Sequence, residues 1–378
     1  MAGINRRKLL SAAAAAAAGA ERPEQHKDIP NFRFALEESE PGHVTEGGSA
    51  RQATVRQLPI STGIAGVSMR LKPGGMRELH WHANAAEWAY VVKGRVRTTV
   101  IGPAGVSETN DFGPGDVWYF PRGHGHALQG MGPEEAHFVL VFDNGSFSES
   151  GTFSSTDWLG HTPPEVLSKA LGISAAEVAK FPKKELYIVQ GRVPPERIEP
   201  LRQGGLNSSS LTHKYELMAQ KPHGTYPGGE ERLVSAKEFP ISTTITGAVL
   251  DLKPGGLREP HWHPNANEWQ YYVSGQARMT LFGSHGRART EQFKAGDVAY
   301  VPQGFGHYIE NTGAGPCRVL VAFDSGSYQE ISLSTWLASN PARMVGDNFK
   351  VPDPLVAQLP DHRVFLAGKD GPGRRAGN

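Results

Sequence analysis

The sequence has one cysteine, Cys317, in 378 residues. An intramolecular disulfide is therefore excluded, and Cys317, set in an apolar run, reads as a small core residue. Excess charge of either sign is missing too. Lys plus Arg (39) nearly cancels Asp plus Glu (38), so nothing argues for a nucleic-acid or anionic-membrane partner. The alanine-rich run near the N terminus is too short to cross a bilayer, which takes about 20 apolar residues.

What the chain does have is repetition. His80-Trp81-His82, Glu87 and His126 return as His261-Trp262-His263, Glu268 and His307, and 261−80, 263−82, 268−87 and 307−126 all equal 181. Leu71-Lys72-Pro73-Gly74-Gly75 returns as Leu252-Lys253-Pro254-Gly255-Gly256, Arg77-Glu78 as Arg258-Glu259, and Phe142-Asp143 as Phe323-Asp324. No gap is needed over about 95 residues, so a domain has been duplicated. The length fits two to three units of about 150 residues each. The expected layout is an export signal (1–20), an N-terminal extension (21–50), a first domain (51–180), a Pro-rich linker (181–229), a second domain (230–345) and a C-terminal tail (346–378).

The apolar segments inside each repeat are short. Glu87–Val92, Val96–Ile101, Val117–Phe120 and His137–Phe142 carry β-branched and aromatic residues between Gly, Pro and Asp punctuation. They read as antiparallel strands. Two short helices are expected after the first repeat, one over Pro164–Leu171 and one from Ser174, whose Glu177 completes a capping box. The fold class is all-β: two tandem jelly-roll β-barrels with a few short flanking helices.

Residues 1–20 differ in character. Asn5-Arg6-Arg7-Lys8 leads through an alanine-rich stretch to Ala18-Gly19-Ala20, the pattern of a twin-arginine export signal, so a periplasmic or secreted location is expected. If that signal does not function, the protein stays in the cytoplasm.

The repeated residues have a chemical logic. In a strand, residues i and i+2 share a face, so His80 and His82 point together while Trp81 points away. Glu87 opens the next strand and His126 follows a turn. Three imidazoles and a carboxylate leave two octahedral positions for substrate and water or dioxygen. The same holds for His261, His263, Glu268 and His307. Two metal ions per chain are expected. Zinc prefers four-coordinate sites and has no redox chemistry, whereas this set suits Mn(II), Fe(II) or Ni(II). His26, His43, His161, His213 and His362 fall outside the pattern and read as ordinary. His124 stands opposite Phe305 and reads as supporting.

The motifs Arg77-Glu-Leu-His-Trp-His, Glu87-Trp-Ala-Tyr, Gly115-Asp-Val-Trp-Tyr-Phe-Pro, Phe147-Ser-Glu-Ser-Gly-Thr, Arg258-Glu-Pro-His-Trp-His-Pro-Asn and Glu268-Trp-Gln-Tyr-Tyr give the chain a further identity. It resembles the bicupin oxalate decarboxylases over roughly residues 30–345. The resemblance implies two tandem cupin domains, Mn(II) in each, and conversion of oxalate to formate and carbon dioxide with dioxygen needed but not consumed. It also implies a homo-oligomer, trimer or hexamer. Arg77 is then expected to bind and orient the substrate, with Arg258 its counterpart, and Glu149 is the expected general acid/base on a lid, Ser148-Glu149-Ser150-Gly151-Thr152. Family members often have Ser-Glu-Asn-Ser-Thr there. Some bacterial members also carry a buried glutamate on the second barrel's strand where this chain has Val321. Glu330 falls 181 after Glu149, but its loop is three residues shorter, so catalysis is expected at the first site. The rival readings are an oxalate oxidase, yielding carbon dioxide and hydrogen peroxide, and a non-catalytic bicupin storage or binding protein.

Overall fold

The computed structural model describes residues 29–202 and 209–372, except for the side chains of Glu149 and Ser150. The expected export signal and His26 lie outside the described residues. No helix among those described is long and apolar enough to cross a membrane.

Each repeat forms two antiparallel sheets. The first repeat's seven-stranded sheet runs Lys214–Tyr215, Val117–Phe120, Glu87–Lys93, Ala136–Phe142, Ala65–Leu71, Gly48–Ala53, His43–Thr45. Its six-stranded sheet runs Thr152–Ser154, Gly75–His82, Gly125–Gly130, Val96–Ile101, Ser107–Phe112, with Ile188–Gln190 added along Gly75–His82. The second repeat has the same order, with Leu366–Ala367 in the place of Ile188–Gln190.

Two of these strands are exchanged. Arg33–Phe34 pairs with Val298–Val301 of the second repeat, and Lys214–Tyr215, 181 residues later, pairs with Val117–Phe120 of the first. An ion pair fastens each: Arg33 to Asp297 at 2.8 Å and Lys214 to Asp116 at 3.2 Å. Segments that read as extension, linker and tail thus complete the sheets. They escape a sequence reading because two- or three-residue strands are too short to show an alternating pattern.

The strand Glu87–Lys93 shows why the apolar runs are unbroken. Ala89 and Val91 pack into their own barrel, while Trp88 and Tyr90 pack into a cluster shared between the repeats. Both faces are buried, so no polar face alternates. The shared cluster joins Trp88, Tyr90 and Tyr119 to Trp269, Tyr271 and Tyr300. Tyr119 Oη meets Thr244 Oγ1 at 2.9 Å, and the Gly63 amide donates to Tyr300 Oη at 3.1 Å. The expected helices are Pro164–Leu171 and Ala175–Val178, the latter with the Ser174/Glu177 capping box. Ser155–His161 and Ala342–Phe349 are further helices that the pattern did not announce. Cys317 is buried.

Trp88 lies over Gly247 and Trp269 over Gly66, so a methyl group at either glycine would fall inside the indole. Gly247→Ala should therefore destabilise the protein by about 1–3 kcal/mol through overpacking. Gly42→Ala, where a methyl meets nothing within 4 Å, should leave the thermal midpoint unchanged. Equal midpoints for the two variants in a thermal melt would refute the packing argument.

Candidate metal centres

In a regular strand Arg77 and His80 would face opposite sides. They do not here, because the strand Gly75–His82 is bulged. Leu128 pairs with Arg77 and His126 with His80, so three steps on one strand match two on its neighbour. The extra residue resets the parity and turns Arg77 to the same interior as His80 and His82. Glu78, displaced by the bulge, is buried and accepts hydrogen bonds from the Leu186 and Tyr187 amides at 2.9 and 2.7 Å. It ties the crossing segment to the site rather than pairing with Arg77. The second barrel repeats the device: Arg258 pairs with Ile309, His261 with His307, and Glu259 accepts from the Phe365 amide at 2.6 Å.

His80, His82, Glu87 and His126 offer donor atoms within 4.8 Å of one another, and so do His261, His263, Glu268 and His307. All eight are buried. The imidazoles are oriented for a metal. Nδ1 meets a carbonyl oxygen in His80 (Glu78, 2.6 Å), His126 (His124, 2.9 Å), His261 (Glu259, 2.7 Å), His263 (Gln329, 2.7 Å) and His307 (Phe305, 3.1 Å). A carbonyl only accepts, so Nδ1 carries the proton and Nε2 keeps its lone pair. His82 Nδ1 meets Thr152 Oγ1 at 2.9 Å. The Nε2 atoms of His126 and His263 are buried, make no well-aligned hydrogen bond among the described residues, and lie 3.4 and 2.9 Å from Glu87 Oε2 and Glu268 Oε2. Neutral imidazoles with converging, unsatisfied lone pairs beside a carboxylate fit a divalent metal.

The electrostatics agree. Burial, followed by the Arg77 charge, pushes His80 well below the ordinary histidine range. Burial lowers His82 to about 4 despite its contact with Glu87. Burial alone would raise Glu87, but His126 and His82 outweigh it and hold its carboxylate below the usual range. Glu87 Oε1 accepts from Trp118 Nε1 at 2.8 Å. In the second barrel Gln270 Nε2 does this for Glu268 at 2.7 Å.

The surroundings of the two centres differ. The first opens into a cavity of about 250 Å³ lined by Arg77, Phe147, Ser148, Thr152, Glu185 and Tyr187 among others. Arg77 is buried, donates from Nη1 to the Tyr187 carbonyl at 3.0 Å, and lies 3.9 Å over the Tyr187 ring. Glu185 Oε1 stands 3.7 Å from Arg77 Nη2. Glu149 falls on the helical turn Phe147–Ser150, and its side chain lies outside the described residues. The second centre adjoins a cavity of only about 10 Å³. There Glu330 stands, by strand register, where the first barrel has Thr152, not Glu149, because the shorter loop shifts the alignment by three. Val321 lines this cavity, and so does a buried carboxylate, Glu231.

Several site residues escaped the sequence reading. His43, read as ordinary, stacks on Tyr187 at 3.5 Å and lines the first cavity. Tyr187 and Glu185 come from the segment read as linker. Their only sequence signal is the repeat resuming at an offset of 178, which puts Tyr187 against Phe365. His213 pairs with Glu108 at 2.7 Å and is a partnered core histidine. His161 and His362 pair with neighbouring aspartates. Trp81 faces away from the metal residues and stacks on Phe153 at 5.3 Å.

The comparisons with known proteins agree with this geometry. A family model described as cupin matches residues 34–179 and 215–355. The oxalate decarboxylase of Bacillus subtilis strain 168 is 44% identical over 320 residues, covering 85% of this chain and 82% of its own. A structure of oxalate decarboxylase from Bacillus subtilis at pH 4.6 superposes with a TM-score of 0.86 at 42% identity, covering 92% of this chain and 90% of that one. Another structure, from work assigning the EPR parameters of the Mn(II) centres of the same enzyme, gives a TM-score of 0.84 at 41% identity over 92% and 91%.

The lowered histidines make the metal-free protein acid-sensitive. His82 stays neutral in the fold down to about 4 but takes a proton near 6.5 when unfolded. The unfolded state therefore binds more protons below 6.5, and stability falls with pH across that window. Chelator-stripped protein should show a lower urea midpoint at pH 5 than at pH 7. Equal midpoints would contradict the assignment of neutral buried imidazoles.

Proposed function

The chain belongs to the cupin family and, within it, to the bicupin oxalate decarboxylases, and from that premise we propose that it converts oxalate to formate and carbon dioxide in a manganese-dependent, dioxygen-requiring reaction at the first centre. The observation that carries this reading is the first cavity itself. It is lined by His80, His82 and Glu87, three of the four clustered metal-binding side chains, and by a buried arginine, and it has enough space for a small dianion.

Oxalate resists heterolysis of its C–C bond. Manganese, held by His80, His82, Glu87 and His126, would supply a redox-active Lewis acid that draws electron density from one bound carboxylate; the related structure with Mn(II) centres supports the choice of metal. The rest falls to the chain. Arg77 presents a planar fork to the distal carboxylate. It is held in place by the Tyr187 carbonyl and ring, so little of its freedom remains to be lost on binding. Val67, Met69, Leu128, Leu140 and Phe142 wall the cavity and keep water from competing for the charges. Phe147 stacks on Phe142 at 3.6 Å and, with Ser148 and Thr152, lines the same cavity. These flanking positions support Glu149 as the residue that takes the proton from the oxalate monoanion and returns one to the formate carbon. The second centre, held by His261, His263, Glu268 and His307, takes the second manganese.

We also propose export through Arg6-Arg7 and the alanine-rich segment, on sequence pattern alone. Assembly into a trimer or hexamer is supported by the exposed Trp158 and Trp336.

Positioned general acids contribute about 10²–10⁴-fold in rate. Glu149→Gln should lower formate production by that order while manganese content stays normal. The ratio of hydrogen peroxide to formate should rise, because the one-carbon fragment left by loss of carbon dioxide, no longer protonated promptly, would be oxidised to a second carbon dioxide by dioxygen, which takes up the two electrons and two protons as hydrogen peroxide. Near wild-type formate output would remove Glu149 from the role. Arg77→Lys should lose much of kcat/KM, and Arg258→Lys should matter less. The reverse ranking would move turnover to the second centre.

A further inference from the structure

The two barrels keep the same metal residues and the same arginine, but the arginines are held differently: the nearest carboxylate to Arg77 is the half-exposed Glu185 at 3.7 Å, whereas Arg258 is in direct ion pairing. Arg258 lies 3.9 Å over the Phe365 ring, and its Nη2 forms an ion pair with Glu330. Tyr328 Oη, 3.4 Å from that nitrogen, donates to Glu330 Oε2 at 3.0 Å. Arg363 holds the other oxygen of Glu330. The Arg258 and Glu330 side chains are only 2% and 8% exposed, so little solvent screens the pair. In the first barrel the corresponding positions carry Thr152 in place of Glu330 and Glu185 in place of Arg363. The inversion of charge at the last of these gives the second barrel a cation that holds the Glu330 carboxylate. The second cavity closes to about 10 Å³, against about 250 Å³ for the first.

The charges also balance internally. Arg258 and Arg363 face Glu330, and Glu231 lines the same cavity as Arg258, where the first barrel has Ala50. An arriving dianion would have to displace a carboxylate that is covalently tethered beside Arg258. A tethered group competes at an effective concentration far above that of a free anion.

We propose that Glu330 is a specificity-determining residue of the second centre: its carboxylate takes the place on Arg258 that an oxalate carboxylate would take, and so closes that centre to substrate. Arg258 Nη1, buried with no hydrogen-bond partner among the described residues, would complete a two-pronged anion site with Nη2 once Glu330 is gone. The inference rests on reading the paired arginines as carboxylate binders, and the experiment separates the two readings.

The test uses His82→Ala protein, expected to keep manganese at the second centre alone, so that its EPR spectrum reports that centre whatever Arg77 does. Oxalate is the probe. With Glu330 intact the spectrum should not respond to millimolar oxalate. Adding Glu330→Ala should make it respond with a half-effect at least tenfold lower in concentration, and Arg258→Ala on top should abolish the response. Glu330→Gln, which keeps the volume and removes the charge, guards against loss of folding in the alanine variant and should respond likewise. A response with Glu330 intact overturns the proposal. So does a silent spectrum in both Glu330 variants when manganese is retained. Failure of the arginine reading would appear separately, as a response that survives Arg258→Ala.

Discussion

Between Arg77 and His80 the strand carries one residue more than its neighbour, and the organisation of the site follows from that surplus. A strand alternates its side chains strictly, so a cation and a metal ligand three residues apart belong to opposite faces. The bulge brings them to one face without lengthening the loop between them. It also ejects Glu78 from the ladder, leaving its carboxylate to capture the amides at 186 and 187. That capture brings Tyr187 beneath the guanidinium. One irregularity thus places the ligands, the anion fork and its support, and both copies retain it.

The copies have diverged around this common frame. The hydrogen bond to the metal-binding glutamate comes from Trp118 in one barrel, opposite the small Ala89. In the other it comes from Gln270, opposite the small Ala299. Large and small side chains have changed strands, so volume is conserved while the donor changes. The cavity walls have diverged further, with acidic, basic and hydroxyl side chains redistributed. Conserved ligands thus coexist with unequal access.

Much of this was legible in the sequence. The constant offset of 181 exposed the duplication, and period-two spacing put His80 and His82 on one face. What stayed hidden has physical causes. A bulge leaves no signature in composition, so Arg77, expected at the site by family resemblance, sat on the wrong face by strict alternation. Tyr187 and His43 lie in segments whose strands are too short to alternate. That the loop before Glu330 is three residues shorter was legible by counting; that this sets Glu330 level with Thr152 emerges only from the strand register. Glu231 replaces an alanine on a strand outside the motifs, where no pattern could flag it.

The exchanged strands bear on how the nascent chain matures. Lys214–Tyr215 is synthesised well after the rest of the first barrel, so the edge of Val117–Phe120 stays open while the ribosome traverses the intervening segment. In the opposite direction, Arg33–Phe34 emerges first and waits for Val298–Val301, some 264 residues later. At about 5–20 residues per second that is a delay of tens of seconds. Each barrel takes its last edge strand from outside its own repeat, and an unpaired edge is a template for unwanted pairing. A ribosome that stalls before residue 215 would therefore leave a first barrel with an open, sticky edge rather than a working half-enzyme.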